Sequence, residues 1–89
     1  MAIKIYFEKN FENIDILCED IWDLPIQISI LEKWLTDNPE LYPDMRKVID
    51  IGFSIRQDAS GGGSVISTTL MTTLVNRNYE LYLSEYSIK

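Results

Sequence analysis

One short segment of the chain, RQDASGGGSV at residues 56–65, has a composition typical of a segment that binds a phosphate group. Consecutive glycines before a helix can present backbone N–H groups to an anion, because glycine permits close approach and unusual backbone angles. A Walker-type loop, however, places lysine and then serine or threonine directly after its last glycine. Here Gly63 is followed by Ser64 and Val65, and the dinucleotide motif G-x-G-x-x-G is also missing. We therefore expect a structural connection whose glycines adopt positive φ or approach a neighbour too closely for a Cβ atom, and anion binding is the alternative.

Few other residue types in the chain support catalysis or metal binding. The chain has no histidine, which excludes Ser-His and Cys-His nucleophile pairs and the common zinc sites. Cys18 is the single cysteine, and the adjacent carboxylates Glu19 and Asp20 disfavour its thiolate by like charge. Together with Asp23 they lack the spacing and the glycine of an EF-hand calcium loop. We therefore expect no catalytic residue, no metal site and no cofactor, and a paired-carboxylate enzyme or small ligand-binding domain is the alternative.

The charge of the chain is acidic and unevenly distributed. The formal net charge is −6, and nucleic-acid binding requires basic side chains that displace counterions, so we expect no nucleic-acid partner. Residues 1–45 carry ten acidic and three basic side chains (net −7), whereas residues 46–89 carry four and five (net +1). Six of the carboxylates lie between Glu8 and Asp23. This acidic stretch is either a solvated face that keeps the protein soluble or a negative surface that steers a basic protein partner.

Length and hydropathy are typical of a small globular protein. The 89 residues, of which 46% are hydrophobic, are enough for one core, and we expect a single domain over residues 1–89. No apolar run approaches the roughly 18 residues of a membrane span, and the alternating, charged N-terminus does not resemble a signal peptide. A single cysteine excludes an internal disulfide and suits a reducing compartment. We therefore expect a cytoplasmic protein with no membrane partner.

Alternating hydrophobic residues predict four strands. Residues 3–9, 45–57 and 79–86 each have the period of two that is typical of a half-buried strand. The segment 14–22 fits both helical and strand spacing. Its isoleucines, and Pro25 that closes it, favour a strand paired with the first.

Two helices are predicted between these strands. Ser29 and Glu32 form a capping box that begins the first helix, and the Asn-Pro pair at 38–39 ends it, because the residue before proline avoids the α region. Ser67 caps the second helix, which ends at residues 76–78. The element order is therefore ββαβαβ. It predicts an α+β fold with about four strands, both helices on one face of the sheet, and a right-handed crossover between the last two, parallel strands.

The predicted core consists of hydrophobic side chains on the inner faces of these elements. Its members are Ile3, Ile5, Phe7, Ile16, Leu31, Trp34, Leu35, Ile49, Ile51, Phe53, Ile55, Leu70, Leu74, Leu81 and Leu83. Met71 and Val75 are predicted to share the inward face of the second helix with its leucines.

The sheet face opposite the helices is predicted to be uncovered and to carry the binding residues. Aromatic side chains with an arginine among them are common anchors of protein–protein contacts. The alternative is that the tyrosines only shield the sheet while Arg56 pairs with Asp50 or Asp58. The predicted partner-binding residues are Glu12, Glu19, Asp20, Trp22, Asp50, Arg56, Tyr82 and Tyr86.

Several segments of the chain resemble a known group of proteins. The segments CEDIWDLP, LEKWLTDNP, VIDIGFSIRQDASGGGSVI and LYLSEY resemble short, uncharacterised bacterial proteins. They are also similar to the C-terminal part of a domain family of unknown function found among the immunity proteins of bacterial polymorphic toxin systems. The resemblance covers most of residues 16–86 and implies a cytoplasmic, non-enzymatic inhibitor that occludes a partner's active site. Such inhibitors are commonly acidic because nuclease toxins are basic, which agrees with the net charge.

These observations predict a non-catalytic, acidic protein-binding module, an immunity-type inhibitor of a bacterial toxin whose partner is a basic toxin domain. A small ligand-binding domain or enzyme is one alternative. Another is a self-associating module that forms a homodimer through the exposed sheet face or an unpaired strand edge.

Overall fold

The chain folds into one four-stranded mixed sheet with two helices, in a computed structural model that describes residues 2–87. The elements are β1 (Ile3–Phe7), β2 (Asn13–Leu17), α1 (Leu24–Asp37), β3 (Lys47–Ser54), α2 (Thr68–Asn76) and β4 (Tyr79–Tyr86). The strand order is β2-β1-β3-β4. β1 pairs antiparallel with β2 and β3, and β3 pairs parallel with β4. The predicted order ββαβαβ, the strand at the second position and the parallel pair are confirmed.

Both helices pack on one face of the sheet, which we call the helix face. Ile3 and Ile5 of β1 pair with Ile51 and Ile49 of β3, and all of these side chains are fully buried. The core cluster consists of Ile3, Ile5, Ile28, Leu31, Leu35, Ile49, Ile51, Leu70 and Leu74. Because side chains alternate along a strand, the intervening residues lie on the other side, which we call the open face. The predicted packing of both helices on one face is confirmed.

The far ends of β3 and β4 extend beyond α2. The nine residues of α2 rise about 13 Å, whereas the eight residues of β4 extend about 26 Å. Leu83 is therefore 50% exposed, and its prediction as a core residue is wrong. Phe53 and Ile55 are half-buried and lie outside the core cluster, as does Phe7, whose ring contacts Tyr42 edge-on at 5.2 Å.

The register of β2 brings different residues to the helix face from those predicted. Leu17 pairs with Ile3, whereas Ile16 pairs with Lys4 and lies on the open face. An irregularity later in the same pairing allows Ile14 to pack against the core. The prediction of Ile16 as a core residue is therefore wrong, because a shift of one residue reverses the face of every side chain in a strand.

α1 begins earlier than predicted. Ser29 and Glu32 do not form a cap, because both lie inside the helix, where the Ser29 hydroxyl donates to the carbonyl oxygen of Pro25 at 3.2 Å. The helix begins at Leu24, after Asp23, with Pro25 in its first turn. Proline suits this position because the first N–H groups of a helix have no partner within the helix. Pro25 therefore belongs to the start of α1 and does not close β2.

The other helix boundaries agree with the sequence. α1 ends at Asp37, directly before Asn38 and Pro39. The Ser67 hydroxyl accepts a hydrogen bond from the N–H of Leu70 at 3.0 Å, as an N-cap does. Within residues 2–87, no helix is long and apolar enough to cross a membrane.

On α2, the inward stripe is narrower than predicted. Leu70 and Leu74 are buried, whereas Met71 and Val75 are exposed, so the prediction that these two face inward is wrong. Adjacent positions on a helix differ by about 100°, and a helix that packs on the edge strand of a sheet buries one stripe only.

Candidate binding surface

The open face carries polar and aromatic side chains from three neighbouring strands. Asp50 of β3 lies opposite Lys4 of β1 and Tyr82 of β4. On the same face of β3 and β4, the next pair is Gly52 opposite Ser84, and the pair after that is Ser54 opposite Tyr86. The rings of Tyr82 and Tyr86 are half-exposed. The structure therefore brings Asp50, Tyr82 and Tyr86 together on one surface.

Trp22 joins this surface from the loop between β2 and α1. Its ring lies 5.6 Å from that of Tyr86 at an interplanar angle of 85°, an edge-to-face contact. Its carbonyl oxygen accepts a hydrogen bond from the N–H of Ser54 at 3.0 Å, so the loop runs beside β3. Both rings lie over Gly52, where a Cβ atom would be 2.8 Å from Tyr86 Cε2 and 3.4 Å from Trp22 Cζ3. The absence of a side chain at Gly52 therefore permits the aromatic contact.

Gln27 of α1 fastens the loop that carries Trp22 to β3. Its side chain is fully buried, and Nε2 donates to the carbonyl oxygens of Ile21 at 2.8 Å and of Gly52 at 2.7 Å. The Oε1 atom has no hydrogen-bond partner among the described residues. One amide group thus holds the loop against the strand, and so positions Trp22 over Gly52.

The polar part of the surface is organised around Asp50. Its Oδ1 accepts a hydrogen bond from the Ser84 hydroxyl at 2.7 Å. Burial raises the pKa of the neighbouring Tyr6 hydroxyl, and the charges of Asp50, Tyr82 and Glu8 raise it further. The Tyr6 hydroxyl is therefore protonated at neutral pH and can act as a hydrogen-bond donor.

The predicted partner-binding carboxylates outside the open face, Glu12, Glu19 and Asp20, lie at opposite ends of β2. Glu12 lies in the turn before β2, and Glu19 and Asp20 lie in the turn after it. At about 3.3 Å per residue, the strand separates the two groups by roughly 20 Å. This distance exceeds the Debye length of about 8 Å at physiological salt, so the groups act as separate charges. Glu19 and Asp20 are the ones that adjoin Trp22.

Arg56 does not join the tyrosines. It follows the end of β3, and its Nη2 donates to the carbonyl oxygen of Gly61 at 2.9 Å. It lines a cleft of about 250 Å³, together with Asp23 at the start of α1 and Glu85 of β4. A cleft lined by two carboxylates and a single guanidinium is unfavourable for a phosphate group.

The glycine segment has the backbone conformation that its composition predicts. The φ angles of Gly61, Gly62 and Gly63 are 138°, 79° and 126°, in the region that side-chain-bearing residues rarely adopt. The hydrogen bond from the Arg56 guanidinium to the carbonyl oxygen of Gly61 joins the start of this segment to its first glycine. The prediction of positive φ is confirmed, and this geometry is that of a connection between β3 and α2.

Replacing Gly62 with alanine is expected to lower the free energy of unfolding by about 1 kcal/mol, because φ of 79° is strained for a residue with a Cβ atom. Space is sufficient, since the nearest atom to the new Cβ would be Arg56 Nη2 at 3.5 Å. Urea denaturation followed by tryptophan fluorescence measures the effect, and Ser64→Ala is the neighbouring control. Unchanged stability would contradict the strain, and saturable binding of inorganic phosphate by the wild-type chain would contradict a structural role for the loop.

Partial burial disfavours the thiolate form of the single cysteine, Cys18. Cys18 is half-buried, and burial raises the pKa of its thiol. Burial, and not the predicted like charge of Glu19 and Asp20, is the cause of this raised pKa. Within residues 2–87, no group of three potential metal ligands lies close enough together to hold an ion.

A buried lysine on the helix face is a feature that the sequence patterns did not single out. Lys47 is fully buried, and its Nζ donates to the carbonyl oxygens of Tyr42 at 2.7 Å and Met45 at 2.9 Å. Its third neighbour is Glu40 Oε2 at 3.2 Å. Two hydrogen bonds and this ion pair make the lysine a structural tether of the loop between α1 and β3.

Tyr79 covers this ion pair from β4. Lys47 Nζ lies 4.8 Å from the centre of the Tyr79 ring, a cation–π contact. Burial and then the charge of Glu40 raise the pKa of Tyr79 to about 12, against a smaller opposite effect of Arg77. One sequence signal could have identified the lysine: it lies two residues before Ile49, at the period of the buried face.

Comparison of the chain with protein-family models, with curated proteins and with solved structures found no match. The candidate site is therefore defined by its own geometry. We call it the aromatic surface, and it consists of Trp22, Asp50, Tyr82, Ser84 and Tyr86 on the open face.

Proposed function

We propose that the protein is a non-catalytic, protein-binding inhibitor of the immunity type, and that its partner is a basic bacterial toxin domain. The observation that carries this proposal is the aromatic surface, whose Trp22, Tyr82 and Tyr86 lie on a sheet face without a helix among the described residues. Tryptophan and tyrosine are the side chains that most often dominate binding energy at protein interfaces.

The aromatic surface is held in place before any partner binds. Trp22 and Tyr86 contact each other over Gly52, and Gln27 holds the tryptophan loop to β3. Rigid side chains lose little conformational entropy on binding, so more of the contact energy contributes to affinity. An inhibitor acts by covering its target, and a firm aromatic surface is suited to that role.

The acidic residues near this surface support a basic partner. Glu19 and Asp20 are exposed in the loop that leads to Trp22. The chain as a whole has a net charge of −6. Exposed charges of this sign attract a positively charged protein over distance and raise the association rate, whereas buried central contacts set the dissociation rate.

The proposal predicts that the reading frame directly upstream of this chain's gene encodes a toxin domain, and binding kinetics with that domain test it. Neutralising Glu19 and Asp20 together (Glu19→Gln with Asp20→Asn) should slow association, and the deficit should vanish at about 0.5 M salt, where the Debye length falls to a few ångströms. Neutralising Glu12, on the far side of β2, should have a smaller effect. Tyr82→Ala should speed dissociation by about tenfold, or about 1.4 kcal/mol, at any salt concentration.

The matched control is Glu32→Gln with Asp44→Asn, which makes the same charge change on α1 and on the loop that follows it. This variant should associate nearly as fast as the wild-type chain. If the upstream domain neither binds the chain nor is inhibited by it, the proposed function is wrong. If the Glu19 and Asp20 variant keeps the wild-type rate and salt dependence, the acidic loop is only a solvated surface.

A further inference from the structure

β4 is an edge strand whose outer backbone groups are unpaired within residues 2–87. The carbonyl oxygens of Asn78 and Tyr86 accept hydrogen bonds from the β3 side, from Lys47 at 2.9 Å and Ile55 at 3.1 Å. Backbone groups of successive residues point to opposite sides of a strand. The residues whose N–H and C=O groups point to the free edge are therefore Tyr79, Leu81, Leu83 and Glu85. An unprotected edge of eight residues is a template for a further strand.

The flank of this edge is hydrophobic. Leu83 projects from the helix face beyond the end of α2 and is 50% exposed. On α2, Thr69 and Thr73 line the gap towards α1. Met71 and Val75 lie about 100° around the helix on the other side of the buried leucines from Thr69 and Thr73. They therefore face away from α1 and towards the free edge of β4. Exposed apolar side chains along an unpaired strand are typical of an interface.

We propose that the occupant of this edge is a second copy of the same chain, paired antiparallel with β4 so that Tyr82 lies opposite Tyr82 of the second copy. In this register, Leu81 lies opposite Leu83 of the second copy, and their outward backbone groups form the hydrogen-bonded pairs. The two leucines then bury each other on the helix face. Tyr82 falls on the two-fold axis at a non-hydrogen-bonded position, where side chains are closest.

The two carboxylates of β4 are compatible with this register. Glu80 lies opposite Ser84 of the second copy, and Glu85 lies opposite Tyr79, so the register places no two carboxylates directly opposite each other. A shift that sets Leu83 opposite its own copy would instead place Leu81 against Glu85. A two-fold pairing also covers the β4 edges of both copies at once. The inference concerns the strand edge and does not rest on the proposed function.

Sedimentation velocity of the chain alone tests the dimer over concentrations of about 1 to 100 μM. Leu83→Asp places a carboxylate against Leu81 of the second copy and should raise the Kd by at least about tenfold. Val65→Asp is the control, since it makes the same charge change at a 76% exposed valine in the loop before α2. Because each copy carries a net charge of −6, added salt should strengthen the dimer.

Disulfide trapping tests the register independently. In a Cys18→Ser background, Tyr82→Cys should form a covalent dimer on mild oxidation, because the two Cβ atoms on the axis approach disulfide distance. Ser84→Cys lies opposite Glu80 and should cross-link far more slowly.

Each outcome decides the proposal. A dimer that weakens with Leu83→Asp but not with Val65→Asp, and that cross-links through Tyr82→Cys, supports it. A monomer over the whole concentration range, or a dimer that is insensitive to Leu83→Asp, overturns the edge pairing. Faster cross-linking at Ser84→Cys than at Tyr82→Cys overturns the register. Should Leu83→Asp lose its circular dichroism spectrum, the trapping experiment decides alone.

Discussion

Replacing Glu40 with glutamine is expected to lower the free energy of unfolding by about 2–4 kcal/mol. The Lys47 side chain is 1% exposed and that of Glu40 is 14% exposed, so the pair is shielded from water. Removal of one partner leaves a buried, uncompensated charge, and that cost exceeds the net gain from forming the pair. Urea denaturation at neutral pH measures the loss.

Two further variants show whether the loss comes from the stranded charge. Lys47→Met removes the charge itself and keeps the length of the side chain, but it also leaves the carbonyl oxygens of Tyr42 and Met45 without their donor, so it should cost at least as much as Glu40→Gln. The double variant should be no less stable than Lys47→Met alone, because glutamine is harmless once the ammonium group is gone. If Glu40→Gln lies within about 0.5 kcal/mol of the wild type, or if the two effects add, the ion pair does not stabilise the fold.

The lysine cluster also explains how the long connection between α1 and β3 is held. Lys47 binds Tyr42, Met45 and Glu40, which all belong to this connection. Tyr42 in turn contacts the ring of Phe7 edge-on. The end of β1 is therefore covered by the connection instead of by a helix.

Replacing Gln27 with methionine is expected to cost about 2–3 kcal/mol of stability. The two side chains have similar volume, so the change creates no large cavity, but it removes both hydrogen bonds of Nε2. The carbonyl oxygens of Ile21 and Gly52 then lose a buried partner. We also expect a weaker near-ultraviolet circular dichroism signal, because the loop that holds Trp22 against Tyr86 is released.

A neighbouring substitution is the control for this effect. Ser29→Ala removes one exposed hydrogen bond within the same helix and should change stability by less than about 0.5 kcal/mol. If Gln27→Met keeps both the wild-type stability and the near-ultraviolet signal, the amide does not position the aromatic surface. If Gln27→Met lowers stability but keeps the near-ultraviolet signal, Gln27 stabilises the core and does not position the aromatic surface.

Local patterns in the sequence were sufficient for the order of the elements, the parallel pairing of β3 with β4 and the positive φ angles of the glycine segment. Each depends on residues close together in the chain: a period of two or 3.6, the Ser67 cap, and the consecutive glycines. The same patterns placed Asp50, Tyr82 and Tyr86 on one face, because alternation and the pairing of two strands determine that arrangement.

Only the tertiary structure decided which polar groups are buried and which charges adjoin the aromatic surface. Gln27 binds a carbonyl 25 residues away, and Arg77 of the segment after α2 donates to the carbonyl oxygen of Leu35, 42 residues away. β2 separates Glu12 from Glu19, and Arg56 turns to its own loop. A linear pattern records the type and spacing of residues, whereas these outcomes depend on register, on helix length relative to strand length, and on partners that are distant in sequence.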